Sequence, residues 1–561
     1  MSLLGVRNLT VSFGAPVVSG VSFEMEPGEC IGIVGESGSG KSVTARALLG
    51  LAGRGSRVSA DELSFDGMPL LDAPERRLRA LRGKEIGYVS QGALVALDPL
   101  RLVGREIADA LRLHTALSPA QRQARVLELL AEVGIPDPAL RAGQRSDELS
   151  GGLRQRAVIA SAIALRPRLL IADEPTTALD STVQAGILDL LERLRDQGTA
   201  LVLISHDLAV VSRLASRVLV MHRGAVVESG PTAEVLGAPR HPYTRQLIAA
   251  VPTDRPRGTR LTAAAAAPTV GNSGSLRANH GISPDIAPAP ATLPEFPKLS
   301  GGGDPAAGAP VVLGSHLSRR FGARVAVDDV SFELARGTTL GVVGESGSGK
   351  TTLARLVLAL DAPDAGEVRV LGRAWSTARE RDRRDLRPRI GAIYQDALSS
   401  FDPRLTVGHI IADALSHGRT QRAGAEVTAL LEQVGLDGSV ASRRPRLLSG
   451  GQQQRVAIAR AIAPRPDVIV CDEPVSSLDV SVQAQVLDLL DDLQRDLGLS
   501  YLFITHDLGV VRHISDEVLV MRDGRVVERG ATESVFLAPE HEYTRALLAS
   551  APRIGSRPAT S

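Results

Sequence analysis

Gly35-Glu36-Ser37-Gly38-Ser39-Gly40-Lys41-Ser42 follows the apolar run Cys30 to Val34 and opens the helix-like segment Val43 to Leu51. Glycines at this spacing let a backbone turn tightly with its N–H groups facing inward. A lysine can then reach the β- and γ-phosphates of a nucleotide, and a serine hydroxyl can ligate Mg²⁺. The N-terminus of the helix behind such a loop adds a field that favours an anion. The octapeptide returns at Gly344-Glu345-Ser346-Gly347-Ser348-Gly349-Lys350-Thr351, changed only in its last residue. A chance glycine-rich turn does not account for two copies in one context, so the chain is expected to contain its functional unit twice.

Lysine usage points the same way. Among 64 Lys and Arg residues the only lysines are at positions 41, 84, 298 and 350, and two of these stand in the loops. A compact ammonium suits a phosphate pocket better than a planar guanidinium. With 561 residues the chain has material for two or more domains, and 43% hydrophobic and 23% charged residues are ordinary for globular protein. A formal net charge of +1 leaves no electrostatic footprint for nucleic acid. Cys30 and Cys471 sit one in each repeat within apolar runs, which excludes a disulfide framework or a cysteine metal cluster and predicts two core residues. No signal peptide is expected from Met1 to Asn8. No apolar run reaches the roughly 18 residues of a membrane-spanning helix, so a membrane role would have to be peripheral.

Residues 1 to 30 alternate apolar and polar, as in Leu9-Thr10-Val11-Ser12-Phe13, which predicts half-buried antiparallel strands. Phe13 lies 28 residues before Lys41 and could stack on adenine or serve as an ordinary strand residue facing a core. After the loop, Glu85 to Gln91 reads as a strand ending in a polar amide. Residues 103 to 145 carry helical spacing and read as a small helical insert. The insert ends at Leu149-Ser150-Gly151-Gly152-Leu153-Arg154-Gln155-Arg156, a second anion-receptive helix start. Leu169 to Ala172 form an apolar strand ending in Asp173 and Glu174, a pattern that suits the centre of a parallel sheet. Asp180 opens a helix, and Ala200 to Ile204 form a further buried strand followed by Ser205 and His206.

From Pro252 to Pro310 the composition shifts to Ala, Pro, Gly, Ser and Thr, which reads as a flexible linker between residues 1–251 and residues 311–561. Taken as about 60 residues, it spans on the order of 45 Å at roughly 5–6 Å times the square root of its length. The second unit repeats the first at Phe321, Lys350, Gln395, Ser449, Asp472, Asp479 and His506. The offsets are 308, 309, 304, 299, 299, 299 and 300, the mark of one domain duplicated with small insertions and deletions. The tail also recurs, as His241-Pro242-Tyr243-Thr244-Arg245 and His541-Glu542-Tyr543-Thr544-Arg545. Seven arginines between Arg373 and Arg389 are interleaved with Glu380, Asp382 and Asp385 and read as a solvated face.

The ordered set of phosphate loop, glutamine, Ser-Gly-Gly signature, Asp-Glu strand and histidine resembles the ATP-binding cassette family of ATPases over nearly the whole chain outside the linker. The resemblance implies an α/β fold: two P-loop cassettes, each with a mostly parallel sheet core, an antiparallel β subdomain and a helical insert. It also implies ATP held between the loop of one cassette and the signature of the other. One centre would then join Gly35 to Ser42, Phe13, Gln91, Asp173, Glu174 and His206 with Ser449, Gly450 and Gly451. The other would join Gly344 to Thr351, Phe321, Gln395, Asp472, Glu473 and His506 with Ser150, Gly151 and Gly152. Asp173, Asp472, Ser42, Thr351, Gln91 and Gln395 would hold Mg²⁺, a hard cation that takes oxygen ligands. Glu174 and Glu473 would act on the attacking water and the two histidines on the γ-phosphate. Leu153, where the second unit has Gln452, departs from the pattern and is expected to be tolerated.

More narrowly, the Gly-Glu-Ser-Gly-Ser-Gly-Lys loops, the Asp-Pro segments after each glutamine, Ser-Gly-Gly-Gln-Gln-Gln-Arg and the His-x-Tyr-Thr-Arg tails resemble ATPase subunits of the dipeptide, oligopeptide, nickel and glutathione importers. That likeness implies peptide import at the cytoplasmic face of the plasma membrane, with two integral-membrane permeases and an extracytoplasmic solute-binding protein as partners and no nucleic acid. Many members carry a cysteine cluster after the tail, and since none follows here no iron–sulfur cluster is expected. A soluble twin-cassette protein acting on ribosomes or DNA would usually have a charged helical arm between cassettes. An exporter motor would more often have fused membrane spans.

Overall fold

The structure is a computed structural model, and it describes residues 2–92, 96–177, 179–253, 255–262, 309–416 and 424–551. The chain divides into two compact units, Met1–Ala249 with Ala549–Ser561, and Ala250–Leu548.

In the first unit the strands Cys30–Val34, Leu169–Asp173 and Ala200–Ile204 are buried along their whole length. Such runs cannot present a polar face, so they occupy the middle of a sheet covered on both sides. The six-stranded order is Ala225–Pro231, Arg217–His222, Cys30–Val34, Ala200–Ile204, Leu169–Asp173, Ile86–Val89. All neighbours are parallel except the first pair, which is an antiparallel edge hairpin. The alternating segments Leu4–Phe13 and Ala15–Met25 pair antiparallel, as their periodicity predicts, and continue through Glu62–Phe65 and Met68–Pro69. Apolar residues of this second sheet, among them Leu9, Val21 and Met25, join Ile31, Ile33, Leu48 and Val202 in one core. The helical insert consists of Val103–His114, Pro119–Glu132 and Pro138–Ala142. Its middle helix is fixed at the start by Pro119 and a reciprocal Ser118–Gln121 capping box.

The second unit repeats the plan, with the order Ile390–Ile393, Val468–Asp472, Ser500–Ile504, Thr339–Val343, Glu517–Arg522, Arg525–Ala531. Cys30 and Cys471 are both buried, and burial pushes the Cys30 thiol up to about 12, as inert core residues. The arginine-rich stretch is a surface face, with Arg387 stacked on buried Trp375 and paired to Glu380.

Composition assigns the chain from Pro252 onward to the linker, yet its first part, through Thr262, packs against the second unit, with Leu261 in that unit's core. The remainder, residues 263–308, lies outside the described residues. Among the described residues, no helix is long and apolar enough to cross a membrane.

Candidate active site

Ligands in sheets of this kind bind outside the carboxyl ends of the strands. There the phosphate loop leaves Val34, the acids follow Ala172, and His206 follows Ile204 and Ser205. Gly35 takes φ 147°, and a Cβ at that position would stand 2.2 Å from the Met221 carbonyl oxygen; Gly344 repeats this with φ 152° and 2.1 Å to Met521. Only glycine fits at the loop entrance. Lys41 is buried with Nζ donating to the carbonyls of Gly35 (2.7 Å) and Glu36 (2.9 Å), and Lys350 does the same to Gly344 and Glu345. The loop thus wraps its own ammonium. The buried hydroxyls of Ser39 and Ser348 have no hydrogen-bond partner. An unpaired buried hydroxyl costs about 1–3 kcal/mol, and a phosphate oxygen would satisfy it.

Ser42 Oγ donates to Asp173 Oδ1 at 2.9 Å, and Thr351 Oγ1 to Asp472 Oδ1 at 3.4 Å. A hydroxyl and a carboxylate side by side at the mouth of a phosphate loop fit a hard divalent cation. Burial raises both aspartates; Asp472 reaches about 6, with neighbouring Glu473 adding to the effect and Thr351 opposing it. The two centres differ here. Asp173 also accepts from the Tyr88 hydroxyl at 3.3 Å, whereas Ala392 stands at the matching position of the second unit.

Glu174 and Glu473 have φ of 52° and 51°. Left-handed backbone in a residue with a Cβ costs on the order of 1–3 kcal/mol and persists only where the surroundings enforce it. Here the amides of Glu174 and Glu473 donate to Ile204 and Ile504 at 2.9 and 2.8 Å, which aims each carboxylate across the sheet end. Gln91 and Gln395 each donate Nε2 to the glutamate Oε2 at 2.9 Å. His206 Nδ1 lies 3.4 Å and His506 Nδ1 3.0 Å from the other oxygen. Burial pushes both glutamates up, but the histidine hydrogen bond and charge outweigh it, with the loop lysine helping, so both stay below their ordinary value. His506 is raised because Glu473 outweighs the effect of burial. An ionised carboxylate gripped between an amide and an imidazole can orient a water and accept its proton.

Ser150 and Ser449 cap the helices Gly151–Ile163 and Gly450–Ile462. In the second unit Gln452 completes a capping box, its Oε1 accepting from Ser449 N at 3.1 Å, and Leu153 forfeits only that bond. Gly152 and Gly451 have a packing role: a Cβ would stand 2.5 Å from Val183 or Val482. Phe13 and Phe321 are exposed at their hairpin ends rather than facing a core. The structure therefore gathers loop, glutamine, acids and histidine into one network per unit, while signature and phenylalanine stand apart from it.

Sequence reading missed two contributors. Tyr243 and Tyr543 of the tails accept the Glu36 and Glu345 amides at 3.1 Å, so the C-terminal helix of each unit braces its phosphate loop. Tyr88 is the other, and only the distance from strand Ile86–Val89 to Asp173 reveals it. The repetition of the Tyr-Thr-Arg tail was the available signal for the braces.

Two mostly parallel-sheet units, each with a phosphate loop, a hydroxyl–carboxylate pair and a Gln–Glu–His network, have the layout of a nucleoside-triphosphatase present twice. The chain belongs to the ABC transporter family, whose profile matches residues 18–177 and 327–476. A second profile, "Oligopeptide/dipeptide transporter, C-terminal region", matches residues 227–274 and 527–560, the regions that supply the two tyrosine braces. The peptidoglycan transport ATP-binding protein YejF of Agrobacterium fabrum is 43% identical over 98% of this chain and 96% of its own. The oligopeptide transport ATP-binding protein OppD of Mycobacterium tuberculosis is 42% identical, covering 98% of both chains. The glutathione import ATP-binding protein GsiA of Shigella flexneri is 41% identical over 98% of this chain and 90% of its own. The protein is accordingly an ATP-binding subunit, an ATPase coupled to transport.

Proposed function

We propose that this chain drives an importer for peptides of the dipeptide and oligopeptide class. It would do so at the cytoplasmic face of the plasma membrane, beneath two integral-membrane permeases fed by an extracytoplasmic solute-binding protein. The observation that carries this reading is the peptide-transporter C-terminal region that follows each phosphate-loop unit.

In the proposed cycle Lys41 and Lys350 neutralise charge on the β- and γ-phosphates. Ser42 with Asp173, and Thr351 with Asp472, hold Mg²⁺, which supplies further charge neutralisation when bound. Glu174 and Glu473 orient and deprotonate the water, His206 and His506 meet the γ-phosphate, and Phe13 and Phe321 stack on adenine. Gln91 and Gln395 sense the state of the centre through the glutamate they grip and pass it to the permease. Joining both cassettes in one chain raises their effective concentration for each other.

Tagging the chain, solubilising native membranes in mild detergent and identifying what co-purifies tests the proposal. Two polytopic membrane proteins with a binding protein are expected, and that binding protein should take a di- or oligopeptide. Ribosomal or DNA-repair proteins in their place would sink the import reading. Selective binding of glutathione or nickel would keep the importer and replace its cargo.

A further inference from the structure

We propose that the second cassette carries a peptide-docking groove whose permanent ligand is the chain's own segment around Arg257 to Thr262.

The docked segment is a turn. Pro256 to Thr259 make a turn in which Thr259 N donates to the Pro256 carbonyl at 3.3 Å and Gly258 takes φ 80°, with Arg257 at the apex. Arg257 enters between the helices Val480–Leu497 and Leu508–Ile514. Its Nη1 donates to the Ile514 carbonyl and meets Asp516 Oδ2, both at 2.6 Å, and its Nη2 donates to Gln494 Oε1 at 2.7 Å. Gln494 is buried, and its Nε2 is held by Thr339 Oγ1 and the Leu499 carbonyl, so its oxygen is fixed toward the guanidinium. The buried carboxylate of Asp488 then takes two successive main-chain amides, Leu261 to Oδ1 and Thr262 to Oδ2, each at 3.0 Å. Arg260 pairs with Asp492, and His513 Nδ1 lies 3.3 Å from the Arg255 carbonyl. A buried acid holding two consecutive amides reads peptide backbone as an anion-recognition loop does in reverse.

The first cassette provides the control. At the positions matching Gln494, His513 and Gly509 it has Arg195, Arg213 and Ala209. Arg195 Nη1 donates to the Leu214 carbonyl at 3.1 Å, the place that Arg257 takes at Ile514. Arg213 covers Asp189, the counterpart of Asp488. Gly509 matters because a Cβ there would stand 3.0 Å from the Thr253 Cα, backbone that cannot yield like a side-chain tip. Among the described residues, the contacts that Arg257 and the Leu261 and Thr262 amides make on the second cassette are thus met on the first by its own Arg195 and Arg213. The two grooved helices begin just after Asp479 and His506, so the docked segment bridges the elements that leave the second unit's sheet end.

Hydrogen exchange on the full chain tests this. The amides of Leu261 and Thr262 should be protected. The variant Gln494→Arg/Gly509→Ala/His513→Arg, which installs the first cassette's residues, should make them exchange at least about tenfold faster, given the strength of hydrogen bonds to charged groups. Strand Val468–Asp472 should keep its protection in that variant as proof of fold. Arg257→Ala, outside both cassette cores, should give the same loosening and serves as the readout if the triple variant does not fold. Free exchange of both amides in the unaltered chain, or unchanged protection in Arg257→Ala, would overturn the groove.

Discussion

His506 Nδ1 lies 3.0 Å from Glu473 Oε1, while Gln395 holds the other oxygen of the same carboxylate at 2.9 Å. His206, Glu174 and Gln91 repeat the arrangement. In the proposed cycle both glutamates serve as bases, so both centres are expected to hydrolyse ATP. Glu174→Gln and Glu473→Gln, which keep size and lose the base, should each lower steady-state ATP hydrolysis by about tenfold or more. The double variant should fall by at least about 100-fold, the usual contribution of a general base. Phosphate release measured on purified chain decides this, and full activity in either single variant would show that its centre does not contribute.

Tyr243→Phe and Tyr543→Phe remove the acceptors of the Glu36 and Glu345 amides while preserving the ring packing. A lost neutral hydrogen bond is worth about 1 kcal/mol, and here the loss falls on the geometry of the phosphate loop. The expected result is a KM for ATP raised several-fold with melting temperature nearly unchanged. A drop in melting temperature with unaltered KM would assign the tyrosines to stability alone.

Gly344→Ala puts a Cβ 2.1 Å from the Met521 carbonyl oxygen at φ 152°. Backbone must move, and the loop cannot close around Lys350. Nucleotide binding at the second centre should be lost, leaving about one nucleotide per chain by equilibrium dialysis, with Gly35→Ala giving the complementary loss. Two bound nucleotides in Gly344→Ala would show that the entrance tolerates a side chain.

The loops, acids, histidines and helical insert were legible because each is a contiguous pattern of residue type, repeated about 300 residues later. Asp173 and Glu174 could be placed together because four apolar residues, Leu169 to Ala172, end at them. What stayed hidden was whatever depends on residues distant in the chain. Tyr88 reaches Asp173 across 85 positions, and Tyr243 reaches Glu36 across 207. The docked segment is the clearest case. Proline, glycine and threonine around Arg257 give a linker composition, and its partners Asp488, Gln494 and Asp516 lie more than 220 positions away. Only the replacement of Arg195 and Arg213 by Gln494 and His513 hinted that one repeat had something to receive.

His513 gives the docked segment a pH dependence whose sign is fixed by burial. The imidazole is lowered from its ordinary value of 6.5, first by burial, with Arg257 adding and the Arg255 carbonyl, Asp488 and Asp491 opposing. A histidine lowered in the packed state takes its proton more readily when unpacked, so docking carries no penalty above about pH 6.5 and weakens as pH falls below it. Exchange of the Leu261 and Thr262 amides, corrected for intrinsic rate, should therefore be faster at pH 5.5 than at pH 7.5. His513→Gln, which retains a donor and does not titrate, should flatten the difference. A profile that is unchanged in His513→Gln would place the pH sensitivity on another group.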